Sequence, residues 1–168
     1  NSLIDYMESI GMKFGAHVNA STGFNETIYM LHAPTDDIEK LDKAFGILRE
    51  QVSRQLLLDE DIDAERGVVL EEWRNRQGAS SRIQDEILTS TFGDALYSER
   101  LPIGTKESIE GFEPAALRRF YSDWYRPDLM AVIAVGDFDS EQVQELIQTH
   151  FSDLEGESTR ERLEAPIP

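Results

Sequence analysis

With 168 residues and a mass of 19.1 kDa, the chain is long enough to bury one core. A formal charge of −17 makes a surface that repels phosphate backbones, which argues against nucleic acid as a partner. Zero cysteines exclude a disulfide framework, a thiolate metal site and a thiol nucleophile, so any metal must be held by His, Asp or Glu.

Ser2 with Asp5 reads as a capping box that opens a short helix running through Ile10 and stopping at Gly11. Alternation follows from Lys13 to Ser21. Phe14, Ala16, Val18 and Ala20 point one way, while Lys13, His17, Asn19 and Ser21 point the other. A turn at Ser21–Gly23 leads into Thr27–Leu31, and the two runs predict an antiparallel hairpin. From Pro34 and Thr35 a helix is expected, with Ile38, Leu41, Phe45, Leu48 and Val52 on one stripe. Further helices are expected over Asp59–Arg76 and from Ser80 or Ser81 towards Leu96. Pro102, Gly104 and Gly111 make Tyr97–Gly111 read as a loop. A helix over Pro114–Trp124 precedes Leu129–Val135, an apolar run that reads as a central strand covered on both faces. Asp139 with Gln142 caps a last helix through His150.

This order implies an α+β fold: a largely antiparallel sheet with helices packed on one face. Residues 1–151 read as one domain, and 152–168, rich in Gly, Ser, Thr, Glu and Pro, as a linker to the next. Three strands make a thin sheet, and there is no initiator Met, so the chain reads as a segment of something longer. No apolar run approaches the ~20 residues of a membrane-spanning helix.

The helix holding Glu65 and Glu72 carries the chemistry. At 100° per residue, positions seven apart return to nearly the same direction, and Ile62, Val68, Val69 and Trp73 flank it. Two carboxylates are thus expected inside an apolar arc, where each needs a metal, a cation or good donors. Periodicity alone leaves two readings open: a metal-binding pair, or rim carboxylates paired with Arg66 or Arg76. His17, His32 and His150 are isolated from one another in sequence. Asp59-x-Asp61-x-Asp63 begins like an EF-hand loop but has Ala64 and Leu70 where Gly and Glu are required. Acidic residues favoured by a helix N-terminus explain it better. Asn19-Ala20-Ser21 and Asn25-Glu26-Thr27 fit a glycosylation sequon, a pattern common by chance.

Glu65-Arg66-Gly67-Val68-Val69-Leu70-Glu71-Glu72 resembles the distal-ligand helix of the pitrilysin/insulinase zinc peptidases, the inverzincins with His-x-x-Glu-His. Leu3–Gly11, Asn19–Thr22, Glu26–Tyr29, Pro102-Ile103-Gly104, Tyr125-Arg126-Pro127, Met130 and Gly136-Asp137 are similar to further landmarks of that family, in its order and spacing. The resemblance implies a metallopeptidase domain of the pitrilysin and mitochondrial-processing-peptidase type. It makes Glu72 the third zinc ligand, Glu65 its supporting carboxylate, and Asn19 and Ala20 part of an edge strand that pairs with substrate backbone. The two His ligands and the Glu base fall outside this sequence, so the chain alone is expected neither to hold zinc nor to catalyse. The implied whole is a zinc metalloendopeptidase in which two halves close around a peptide or unfolded segment. The wording is nearest to bacterial members, many of them in the cell envelope. The rival reading is a non-catalytic structural or substrate-binding subunit of the same family. An exposed strand edge also predicts a homo-oligomer of this segment.

Overall fold

A computed structural model describes residues 2–10, 12, 15, 17–156, 160–162 and 164–166. The chain divides into two compact units. The first gathers the N-terminal segment through Thr22, Thr27–Gln55 and the described residues from Asp123 to Gly156; the second is built from Gly23–Glu26, Leu56–Ser122 and the described residues from Arg160 onward.

In the first unit, α1 (Ser2–Ser9) precedes a hairpin of β1 (Val18–Thr22) and β2 (Thr27–Leu31). The register pairs Val18 with Leu31 and Thr22 with Thr27, and Gly23 N–H closes the turn on the Glu26 carbonyl at 2.8 Å. The strand is shorter than the alternation from Lys13 predicts, and the turn lies at Gly23–Glu26, since Ser21 and Thr22 still pair across the ladder. Lys13, Phe14 and Ala16 lie outside the described residues. Met7 and Met12 are nearly sealed and form a core with Val18 and Ile47. Met12 N–H bonds the Met7 carbonyl at 2.9 Å, which folds the chain back after α1.

Helix α2 (Ile38–Ser53) starts later than Pro34 because Asp37 is its cap, accepting from Glu39 N–H. It packs on β2 and on α8 (Ser140–Phe151), whose expected cap is present: Asp139 accepts from the N–H groups of Glu141 and Gln142. The α2–α8 seam joins buried Ala44, Phe45 and Val143 to a polar clasp. Arg49, only 8% exposed, donates to the His150 carbonyl and to Asp153 Oδ1, both at 2.6 Å. His150 Nε2 lies 2.7 Å from Asp42 Oδ1. The Arg49 guanidinium beside Asp153 holds that carboxyl below its ordinary value.

Leu129–Val135 is the main departure from the sequence reading. Pro127–Leu129 is a single 3-10 turn, and no described residue pairs with the extended stretch beyond it. Met130, Val132 and Ala134 are half-buried, whereas Ile133 is 83% and Val135 92% exposed. A strand needs a neighbour to satisfy its N–H and C=O groups, and the described residues supply none here. The result is a helix-rich α+β fold with a two-stranded antiparallel sheet.

In the second unit, α3 (Asp59–Asn75) begins without a side-chain cap; Asp59, Glu60 and Asp61 in its first turn complement the helix dipole. Just before it, Leu57 adopts φ +48°, a conformation costly for a Leu. Arg118 of α7 (Pro114–Trp124) clamps this corner, donating to the Leu57 carbonyl at 3.0 Å and pairing with Asp59. Helix α4 (Ala79–Phe92) ends where Gly93 takes φ +54° instead of running on to Leu96, and a short α5 (Leu96–Glu99) follows. The expected loop contains α6 (Lys106–Gly111), nucleated by a reciprocal cap between Thr105 and Ser108. Buried Ile109 lies on α6, which packs against α3.

Candidate functional site

Helix α3 is held to α6 through Arg66. Its guanidinium donates to the carbonyls of Ile109 at 2.5 Å and Phe112 at 3.0 Å, pairs with Asp63 at 3.1 Å and lies 4.0 Å from the Phe112 ring centroid. Arg66 is therefore engaged at the α3–α6 junction and is not the partner of a site carboxylate. Sequence reasoning missed this junction, because a helical wheel gives the direction of a side chain and not its neighbour.

The apolar arc expected around Glu65 and Glu72 is not closed. Only Ile62 is buried on α3; Val69 and Trp73 are half-buried and Val68 is 59% exposed. Both carboxylates stand at the surface. Glu72 Oε1 accepts from Arg76 Nη2 at 2.8 Å, the rim pairing that periodicity left open, and the Glu65 side chain is exposed. An exposed pair of this kind, four apart on a helix, contributes about 0.3–0.5 kcal/mol, so little opposes its release.

Asn19 and Ala20 lie on β1, in the other unit, with both side chains exposed. His32 N–H donates to the His17 carbonyl at 2.8 Å, which makes that pair a hydrogen-bonded rung. The alternate residues Val18, Ala20 and Thr22 therefore aim their N–H and C=O groups away from β2. Ala20 N–H is taken at 2.8 Å by the Asn19 Oδ1.

Among the described residues, no three His, Asp or Glu side chains gather as a metal-binding group. His17 and His32 stack edge-on at 6.5 Å at the hairpin end, and His150 is committed to Asp42. Glu65 and Glu72 are not joined by a third His, Asp or Glu in a metal-binding group, so by themselves the described residues do not fit a zinc ion.

Residues 1–101 match the family described as Insulinase (Peptidase family M16), and residues 111–168 match the Peptidase M16 inactive domain. The chain belongs to the insulinase family of peptidases. Among its relatives, the zinc protease PQQL-like of Arabidopsis thaliana is 40% identical over 170 residues, covering 100% of this chain and 18% of that protein. The probable zinc protease PqqL of Escherichia coli is 36% identical over 154 residues, covering 92% of this chain and 16% of that protein. The solved first half of the E. coli periplasmic protease PqqL superposes with a TM-score of 0.92 at 34% identity, covering 100% of this chain and 36% of that one. The ferredoxin protease FusC, solved with Arabidopsis ferredoxin, gives 0.84 at 30%, covering 94% of this chain and 18% of that one. The chain thus spans less than a fifth of the length of these two curated relatives.

Proposed function

We propose that the chain is part of a zinc metalloendopeptidase that hydrolyses peptide bonds in peptides or unfolded segments. Glu72 is one zinc ligand, Glu65 supports it from one face-repeat earlier, and β1 pairs with the substrate backbone through Asn19 and Ala20. The remaining ligands and the general base come from the rest of the longer protein, and the 168-residue chain alone is inactive. The observation that carries this reading is that Glu65 and Glu72 stand on one exposed face of α3, inside the segment that matches the peptidase family. Residues 152–168 connect to the next domain, and the likeness to a periplasmic PqqL supports a bacterial cell-envelope location.

The match of residues 111–168 to a domain described as inactive favours a second reading, a non-catalytic structural or substrate-binding subunit. Retention of both Glu65 and Glu72 weighs against it. Glu72→Gln in the full-length protein separates the two. It removes a charged ligand at constant shape, so zinc content and hydrolysis of a quenched peptide should collapse together, while Glu65→Gln costs roughly 10–100-fold. Wild-type hydrolysis by the Glu72→Gln protein would refute the ligand assignment, and a wild-type protein without zinc or activity would establish the second reading.

A further inference from the structure

The outer edge of β1 is not open backbone. The pairing register sends the N–H of Ala20 outward, where an added strand would dock, yet the Asn19 Oδ1 already accepts it at 2.8 Å. On the same edge, the Val18 carbonyl accepts from Gly15 N–H at 3.2 Å. Two of the groups that an incoming strand would pair with are thus satisfied from within the chain.

We propose that Asn19 is an intramolecular competitor for this edge: its carbonyl oxygen guards Ala20 N–H, and a peptide strand pairs only after displacing it. The inference rests on the reading of β1 as the substrate-pairing strand. The displacement is an exchange of acceptors on one donor. The peptide carbonyl takes Ala20 N–H, and the Asn19 amide swings free to bond the arriving backbone. Exposed side chains change rotamer in picoseconds to nanoseconds, so the guard is a rapid pre-equilibrium and lowers association by the fraction of time it is open. A net hydrogen bond of ordinary strength keeps that fraction low, and removing it raises the association rate about two- to tenfold. It also protects an otherwise unpaired edge donor from pairing with another chain.

The test uses the 168-residue chain and a fluorescein-labelled unstructured peptide of alternating serine and valine. Amide hydrogen exchange read by NMR reports the guard without any peptide. Ala20 N–H should exchange several-fold faster in Asn19→Ala than in wild type, and no faster in Asn19→Asp, which keeps the acceptor. Stopped-flow binding then separates guard from grip. The association rate rises in Asn19→Ala, while the dissociation rate reports what the amide contributes once the strand is paired. Unchanged Ala20 exchange in Asn19→Ala overturns the guard, and faster exchange with an unchanged association rate overturns the competition. If neither protein binds the peptide while exchange still responds, the strand-pairing reading of β1 fails, and the displacement proposal falls with it.

Discussion

Replacing Arg66 with Met tests whether the α3–α6 junction is built as described. The side chain is 16% exposed, and its stem volume is retained by Met. Lost are two charged-donor bonds, to the Ile109 and Phe112 carbonyls, and the guanidinium stacked over Phe112. Hydrogen bonds to a charged group are each worth about 1.5–3 kcal/mol, and a partly exposed cation–π contact adds about 0.5–1 kcal/mol. The pair with Asp63, whose side chain is 63% exposed, adds close to nothing. Water reaches part of the junction and resolvates the freed carbonyls, so the net loss should be about 2–4 kcal/mol. Urea unfolding followed by Trp73 emission reads it, in a Trp124→Phe background that leaves one tryptophan on the same helix as Arg66. Arg66→Lys should fall between, because an ammonium is a point charge and lacks the flat fork. A Met variant within about 0.5 kcal/mol of the parent would refute the junction as a stabilising element.

Two further outcomes follow from the same geometry. The Arg49 guanidinium lowers the Asp153 carboxyl from its ordinary value of 3.8, so the pair's contribution is complete above that value and disappears as pH falls through the lowered one. Asp153→Asn should therefore lower Tm at neutral pH and converge with wild type in strong acid; a difference that persists there would contradict the pairing. The 168-residue chain should self-associate through the extended Ala131–Val135 stretch, and Ile133→Lys with Val135→Lys should shift light scattering towards the 19.1 kDa monomer. A wild-type monomer at high concentration would sink that expectation.

What the sequence made legible was local. The Asp139 cap of α8 and the Pro114 start of α7 depend on residues within a turn or two of each other, and both formed where the pattern placed them, whereas the buried face of α2 is Ala44, Phe45, Ile47 and Arg49, with Ile38 of the expected stripe exposed. Leu129–Val135 depends on a partner strand, which its own residues cannot specify. In Tyr97–Gly111, Pro102 and Gly104 concealed the Thr105–Ser108 cap that starts α6. The seven-residue repeat sets Glu65 and Glu72 on one face of α3, which the sequence alone dictates. It does not dictate the surroundings of that face, since α6 covers α3 around Arg66 and leaves Val68 and the carboxylates in solvent.

The division into units has a consequence for synthesis. Within the described residues the backbone changes unit at Thr22–Gly23, Glu26–Thr27, Gln55–Leu56 and Ser122–Asp123 and again between Gly156 and Arg160, so neither unit is one continuous stretch and no single proteolytic nick releases either. The main body of the second unit is an uninterrupted insertion, Leu56–Ser122, dominated by near neighbours such as α4 with α5. It is complete on the ribosome before the residues of α8 are made. The first unit must keep α2 waiting, with Phe45 uncovered, until α8 arrives from beyond the insertion and closes a long loop. The α2–α8 seam accordingly forms only after the insertion is complete, and the interval before it closes is when a nascent chain is most exposed to misassembly.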